Sequence, residues 1–112
     1  MQLYADWSFS TVGLMLRLDT RNNAWEMLRS MNQARYHAVV ASVHGQILVF
    51  GGMYANSWSK QYYLSSVECF DPVSNTWHNV NPMPAPFERG SSVITVGGTR
   101  CYVIGKDVES RT

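Results

Sequence analysis

The side chains of this 112-residue sequence that are able to do chemistry are few and scattered. Three histidines, His37, His44 and His78, and two cysteines, Cys69 and Cys101, are the potential metal ligands, and their spacings match no zinc-binding pattern. The carboxylates Asp6, Asp19, Glu26, Glu68, Asp71, Glu88, Asp107 and Glu109 stand singly, without the pairing that divides general acid from general base. No G-x-S-x-G elbow presents a nucleophile, and Ser91 and Ser92 fall at the start of an expected strand. Neither glycine pair, Gly51-Gly52 nor Gly97-Gly98, leads into a helix, so no anion-binding helix terminus is built. The reading is a non-enzyme with no catalytic residue, no metal and no cofactor.

Binding is the chemistry that remains. Residues 53–63 form a connection longer than a hairpin needs, and it holds Tyr54, Asn56, Trp58, Lys60, Tyr62 and Tyr63. Long loops on a rigid scaffold carry function, and Tyr and Trp bury large areas at low entropic cost. Tyr62 and Tyr63 have the alternative of opening the next strand and packing locally.

The bulk composition narrows the partner. Nine Lys and Arg against eight Asp and Glu leave a formal charge of +1, so no field draws the chain to nucleic acid or to an anionic bilayer. The early apolar run 12–16 is too short for a signal-peptide core or a membrane span. Cys69 and Cys101 lie far apart in apolar runs, which reads as reduced thiols in a cytoplasmic protein. With 46% hydrophobic residues there is enough apolar surface for a packed core.

The elements that hold these residues repeat. Residues 18–31 align with 70–83 at a constant offset of 52, with Asp, Asn, Trp and Met in register. Two further residues in the second copy then move the offset to 54, so that Arg35 meets Arg89 and 47–51 meets 101–105. Within each unit, β-branched and apolar segments are separated by turn residues. Segments 38–43 and 46–50 flank His44-Gly45, and 92–96 and 100–104 flank Gly97-Gly98. Segments 14–18 and 64–70 each lead through an Asp-x-x-x-Asn turn to a short Trp-bearing strand, 25–28 and 77–80. The pattern predicts eight strands and no helix. Apolar residues on both faces of 47–50 suit a sheet with a neighbour on each side.

The string Met31-x-x-x-Arg35-x-His37-Ala38, then Gly45-x-Ile47-x-Val49-Phe50-Gly51-Gly52, then Val67-x-x-Phe70-Asp71-x-x-x-Asn75-x-Trp77, resembles the kelch repeat, most closely the form in kelch-like proteins. The resemblance covers about residues 14–105, with Lys106 departing from the second diglycine. It implies an all-β fold, a kelch-type β-propeller fragment with one complete four-stranded blade flanked by two half-blades. The expected divisions are an N-terminal segment at 1–13, the second half of a blade at 14–34, a complete blade at 35–82, the first half of a blade at 83–106 and a tail at 107–112. A full ring of the family's usual six blades takes about 300 residues.

The resemblance also assigns roles. Arg35 and Arg89 are expected to brace neighbouring blades. Gly51 and Gly52 end a strand where backbones crowd, and Trp25 and Trp77 are plates that fill the space between blades with the indole N–H on a backbone acceptor. The partner-receiving positions are Tyr36, His37, Phe87, Glu88, Gly90 and Ser91, beside Tyr54, Asn56 and Trp58. The implied partner is a protein: a peptide segment of a substrate, as in kelch-like proteins that add BTB and BACK domains and serve cullin-type ubiquitin ligases. The alternative is actin, for a structural kelch protein. Unpaired blade edges also predict self-association.

Overall fold

The computed structural model describes residues 13–57, 59–88, 90–106 and 108, and its regular elements are ten β-strands. They are β1 (Met15–Asp19), β2 (Ala24–Leu28), β3 (Val39–Val43), β4 (Gln46–Phe50), β5 (Met53–Ala55), β6 (Gln61–Tyr63), β7 (Val67–Asp71), β8 (Thr76–Val80), β9 (Ser92–Val96) and β10 (Arg100–Ile104). All pairings are antiparallel. One four-stranded sheet runs β3-β4-β7-β8, and three two-stranded sheets are β1-β2, β9-β10 and β5-β6.

Each of the eight expected strands is present, and β5 and β6 are two more. The segment read as a loop at 53–63 is itself a hairpin, Met53 opposite Tyr63 and Tyr54 opposite Tyr62. The strand expected from residue 64 starts at Val67, because Leu64, Ser65 and Ser66 spend their backbone groups outside the ladder. The Leu64 amide donates to Gly52, and the Ser65 and Ser66 carbonyls accept from Met83 and Gly51.

Several hydrogen bonds of the sequence repeat recur at the same offset. The Met31 amide donates to the Gly13 carbonyl at 3.0 Å, and 52 residues on the Met83 amide donates to Ser65 at 2.8 Å. Asp19 accepts the Arg21 amide and Asp71 accepts the Val73 amide, both at 3.0 Å, so each Asp closes an Asx turn. Asn23 and Asn75 then take the left-handed conformation, φ 57° and 55°, which Asn tolerates better than other side chains. His44 and Gly45, at φ 51° and 75°, form a two-residue turn whose twist matches the strands it joins.

The core lies between sheets. Phe70 and Trp77 are cross-strand partners on one face, ring centroids 5.0 Å apart. With Val49 they pack against Met15, Leu28 and Met31 of the first sheet and its connector. The next residue along β4, Phe50, turns to the other face, where it lines a cleft with Met83 and Val103 of β10. The complete sheet therefore has a two-stranded sheet on each face.

Candidate functional site

Strand directions gather the connections at one end of the sheets. β3, β7 and β9 start there, and β2, β4, β8 and β10 finish there. The segments that meet at that end are therefore 29–38, 51–66, 81–91 and 105–106. The opposite end carries only short turns. Every described partner-binding position expected from the sequence falls in the first group.

The connector into the complete blade is clamped by a buried ion pair. Arg35 donates to the Gly51 carbonyl at 2.8 Å, to the Ser66 carbonyl at 3.0 Å and to Glu68 Oε2 at 2.7 Å, with both charged side chains wholly out of solvent. Glu68 also accepts the amides of Asn32 at 2.8 Å and Gln33 at 2.9 Å. A buried charge is tolerated only when paired and hydrogen-bonded, and this carboxylate has three donors. Among the described residues the bonds of Arg35 itself run to its own blade, fixing the connector to β4 and β7, and the link to the preceding unit runs through Glu68 and the Asn32 and Gln33 amides. By sequence spacing Glu68 is an isolated carboxylate. A charged residue inside the apolar strand Val67–Asp71, with a lone Arg upstream, was the available signal.

Blade joins blade through another clamp. Trp77 Nε1 donates to the Arg29 carbonyl at 2.7 Å and the Arg29 amide donates to Asn75 Oδ1 at 3.1 Å, so both backbone groups of one residue are held by the Asn-x-Trp segment. Trp77 is 9% exposed, whereas Trp25 is 65% exposed and fills no gap among the described residues. The expectation of a packed plate is corrected for Trp25, because no described sheet lies on that side of β1-β2.

Gly52 shows why the diglycine is there. Its φ is +89°, and a Cβ would lie 2.7 Å from the Tyr36 carbonyl and 3.0 Å from Ala38 Cα. Tyr36 and Met53 exchange backbone hydrogen bonds of 2.9 and 2.7 Å, which seats the β5-β6 hairpin against the connector. On that hairpin Tyr54 and Tyr62 stack at 6.3 Å with Tyr62 exposed, and Asn56 is exposed in the turn beyond.

His37 continues this edge. It is exposed, packs edge-on to Tyr36 at 5.0 Å and has φ +61°, an uncommon conformation for a side-chain-bearing residue. It lines a narrow cleft of about 10 Å³ with Gly51, Gly52, Phe87, Glu88 and Ser91. That is room for about one water molecule, far below the roughly 300–1,000 Å³ of small-molecule pockets. Ser91 is fixed by donating to the Glu88 carbonyl at 2.7 Å.

The structure thus brings Tyr36, His37, Tyr54, Asn56, Phe87 and Ser91 to one end, while Trp58 and Arg89 lie outside the described residues. His44 is in a turn at the other end and His78 is exposed on β8. Among the described residues no three His, Cys, Asp or Glu side chains cluster as metal ligands, and no helix is long and apolar enough to cross a membrane. Cys69 and Cys101 are both free thiols, and burial together with Asp71 pushes the Cys69 thiol above its ordinary value.

Sheets of this topology packed face on face, with connectors gathered at one end, define a segment of a kelch-type β-propeller. The Kelch motif family model matches residues 34–84. The structure of YjhT superposes with a TM-score of 0.71 and 25% identity, over 82% of this chain and 28% of that one. An F-box/kelch-repeat protein of Arabidopsis thaliana is 32% identical over 72 residues, 64% of this chain and 18% of its own. Kelch-like protein 36 of Rattus norvegicus is 35% identical over 71 residues, 63% of this chain and 11% of its own. The chain carries a Kelch motif, and it spans between 11% and 35% of the length of curated relatives such as these.

Proposed function

We propose that this chain is a non-enzymatic recognition segment whose connector end receives a peptide stretch of another protein. Kelch repeats form protein-interaction modules, and the reading locates the interaction here on Tyr36, His37, Tyr54, Asn56, Phe87 and Ser91. One observation carries it: the stacked Tyr54–Tyr62 hairpin is hydrogen-bonded to Tyr36, the next residue is the left-handed, exposed His37, and His37 opens directly onto the cleft walled by Phe87 and Ser91. Exposed aromatic rings on a rigid base beside a narrow cleft suit a short peptide lying across them. The names of its relatives, kelch-like and F-box/kelch-repeat, suggest a ubiquitin-ligase adaptor, and the proposed role is to present that peptide's owner to a cullin-type ligase.

Site-specific photocrosslinking in cells tests this. A benzophenone side chain at Tyr62 or His37 is expected to capture a protein that the same group at Val73, fully exposed in the opposite-end turn, does not. His37→Ala and Tyr54→Ala are expected to reduce capture, with cullin recovered in the same complex. Equal capture from Val73 overturns the site, and recovery of actin without cullin overturns the ligase role.

A further inference from the structure

The β5-β6 hairpin of the complete blade has two backbone edges, and they are not used alike. Across the hairpin the Leu64 amide donates to the Gly52 carbonyl at 2.8 Å and the Asn56 amide to the Lys60 carbonyl at 3.3 Å. Bonded and open pairs alternate along an antiparallel ladder, so Tyr54 and Tyr62 bond to each other, while Met53, Gln61 and Tyr63 turn their amides and carbonyls outward. Met53 fixes the phase, because its outward groups are the ones that meet Tyr36, at 2.7 and 2.9 Å.

On the other edge, the outward groups of Gln61 and Tyr63 meet no hydrogen-bonding partner among the described residues. Two residues further along, the Ser65 carbonyl accepts the Met83 amide at 2.8 Å, so this side of the segment is reached once by the next connector. That connector bends at Pro84 and Ala85 and makes no further bond to the edge. An unpaired strand edge asks for another extended backbone. The side chains beside it narrow the choice. Between Arg29 and Glu68 the only charged residues are Arg35, which is buried and paired, and Lys60, which is exposed and has no ion-pair partner among the described residues. Lys60 stands one residue before β6, two positions from the exposed ring of Tyr62.

We propose that the outer edge of β6 takes an extended stretch of the partner protein as an added antiparallel strand, with an acidic side chain of that stretch beside Lys60. This rests on the reading of the connector end as the recognition surface and specifies how the peptide is held there. Gln61 and Tyr63 each supply one backbone donor and one acceptor, so every second amide of the bound stretch points at β6 and the amides between point away. Affinity comes from the main chain, and selectivity from the carboxylate at Lys60 and the contact with Tyr62.

The test selects a displayed library of random peptides on the whole chain. The peptides retained are expected to carry an Asp or Glu and to lose about threefold to tenfold in affinity when alternate amides are N-methylated, with the intervening amides indifferent. Gln61→Pro removes one outward N–H at an edge, where proline is tolerated, and is expected to weaken the same peptides about threefold to tenfold with the strand circular dichroism unchanged. Lys60→Glu is expected to weaken them about fivefold and Lys60→Arg to leave them bound. Retained peptides that tolerate every N-methyl group, or that bind Gln61→Pro and Lys60→Glu as well as the parent chain, overturn the added strand. If His37→Ala still weakens those peptides, the recognition surface stands without it. Peptides indifferent to His37→Ala as well overturn both readings, and so does retention of no peptide.

Discussion

Trp25 and Trp77 sit in the same motif, 52 residues apart, each on the second strand of an antiparallel pair opposite an apolar residue, Leu18 or Phe70. One is 9% exposed with its indole N–H satisfied, and the other is 65% exposed. The local chain does the same thing at both places: the same Asx turn, the same left-handed Asn, the same pairing register. What differs is whether a sheet stands on the far side. Burial here is a property of the neighbour, not of the motif, as the face-to-face stacking of a propeller requires.

That comparison is broken or sharpened most strongly at Glu68 against Leu16, its counterpart at the same offset. Glu68→Ala leaves Arg35 charged and buried and is expected to cost about 3–5 kcal/mol in urea unfolding, whereas Leu16→Ala on the exposed strand is expected to change stability by less than about 1 kcal/mol. Next comes the tryptophan pair itself. Trp77→Ala is expected to cost about 3–5 kcal/mol, and Trp25→Ala less than about 1 kcal/mol in chain dilute enough to run as one copy. Equal costs would mean that Trp25 has a packed neighbour within its own chain.

Gly52 against Gly45 gives a smaller contrast. Both have positive φ, but a Cβ at Gly45 meets nothing within 4 Å, while at Gly52 it meets the Tyr36 carbonyl at 2.7 Å. Gly45→Ala is expected to cost about 1 kcal/mol for the left-handed backbone alone, and Gly52→Ala about 3 kcal/mol. The smallest effect leaves stability untouched. Cys69, buried with its thiol pushed up, is expected to react with iodoacetamide about tenfold more slowly than half-buried Cys101, a difference that mass spectrometry of the labelled chain reads directly.

The strands around Ile47 and Val93 were legible because alternation, turn residues and the internal repeat agree on them. The hairpin at 53–63 was not, because three-residue strands leave no periodic trace and its pairing is held by Tyr36 from outside the segment. Arg35 was legible as a brace, yet its partner Glu68 was not, since 33 residues separate them and only the crossing of connector and strand brings them together. The edge formed by His37, Phe87 and Ser91 was expected from resemblance, and the structure places them around one cleft.

By itself the sequence determined the local geometry: strand lengths, the Asx turns at Asp19 and Asp71, the tight turn at His44-Gly45 and the repeat that makes one unit the template of the next. These are decided by residues a few positions apart, through backbone sterics and short-range hydrogen bonds. The tertiary structure alone decided which of two equivalent tryptophans is buried, where the Arg35 charge is neutralised and, among the described residues, which sheets stack on one another. Those outcomes depend on contacts between segments tens of residues apart, and a motif carries no information about what will be packed against it.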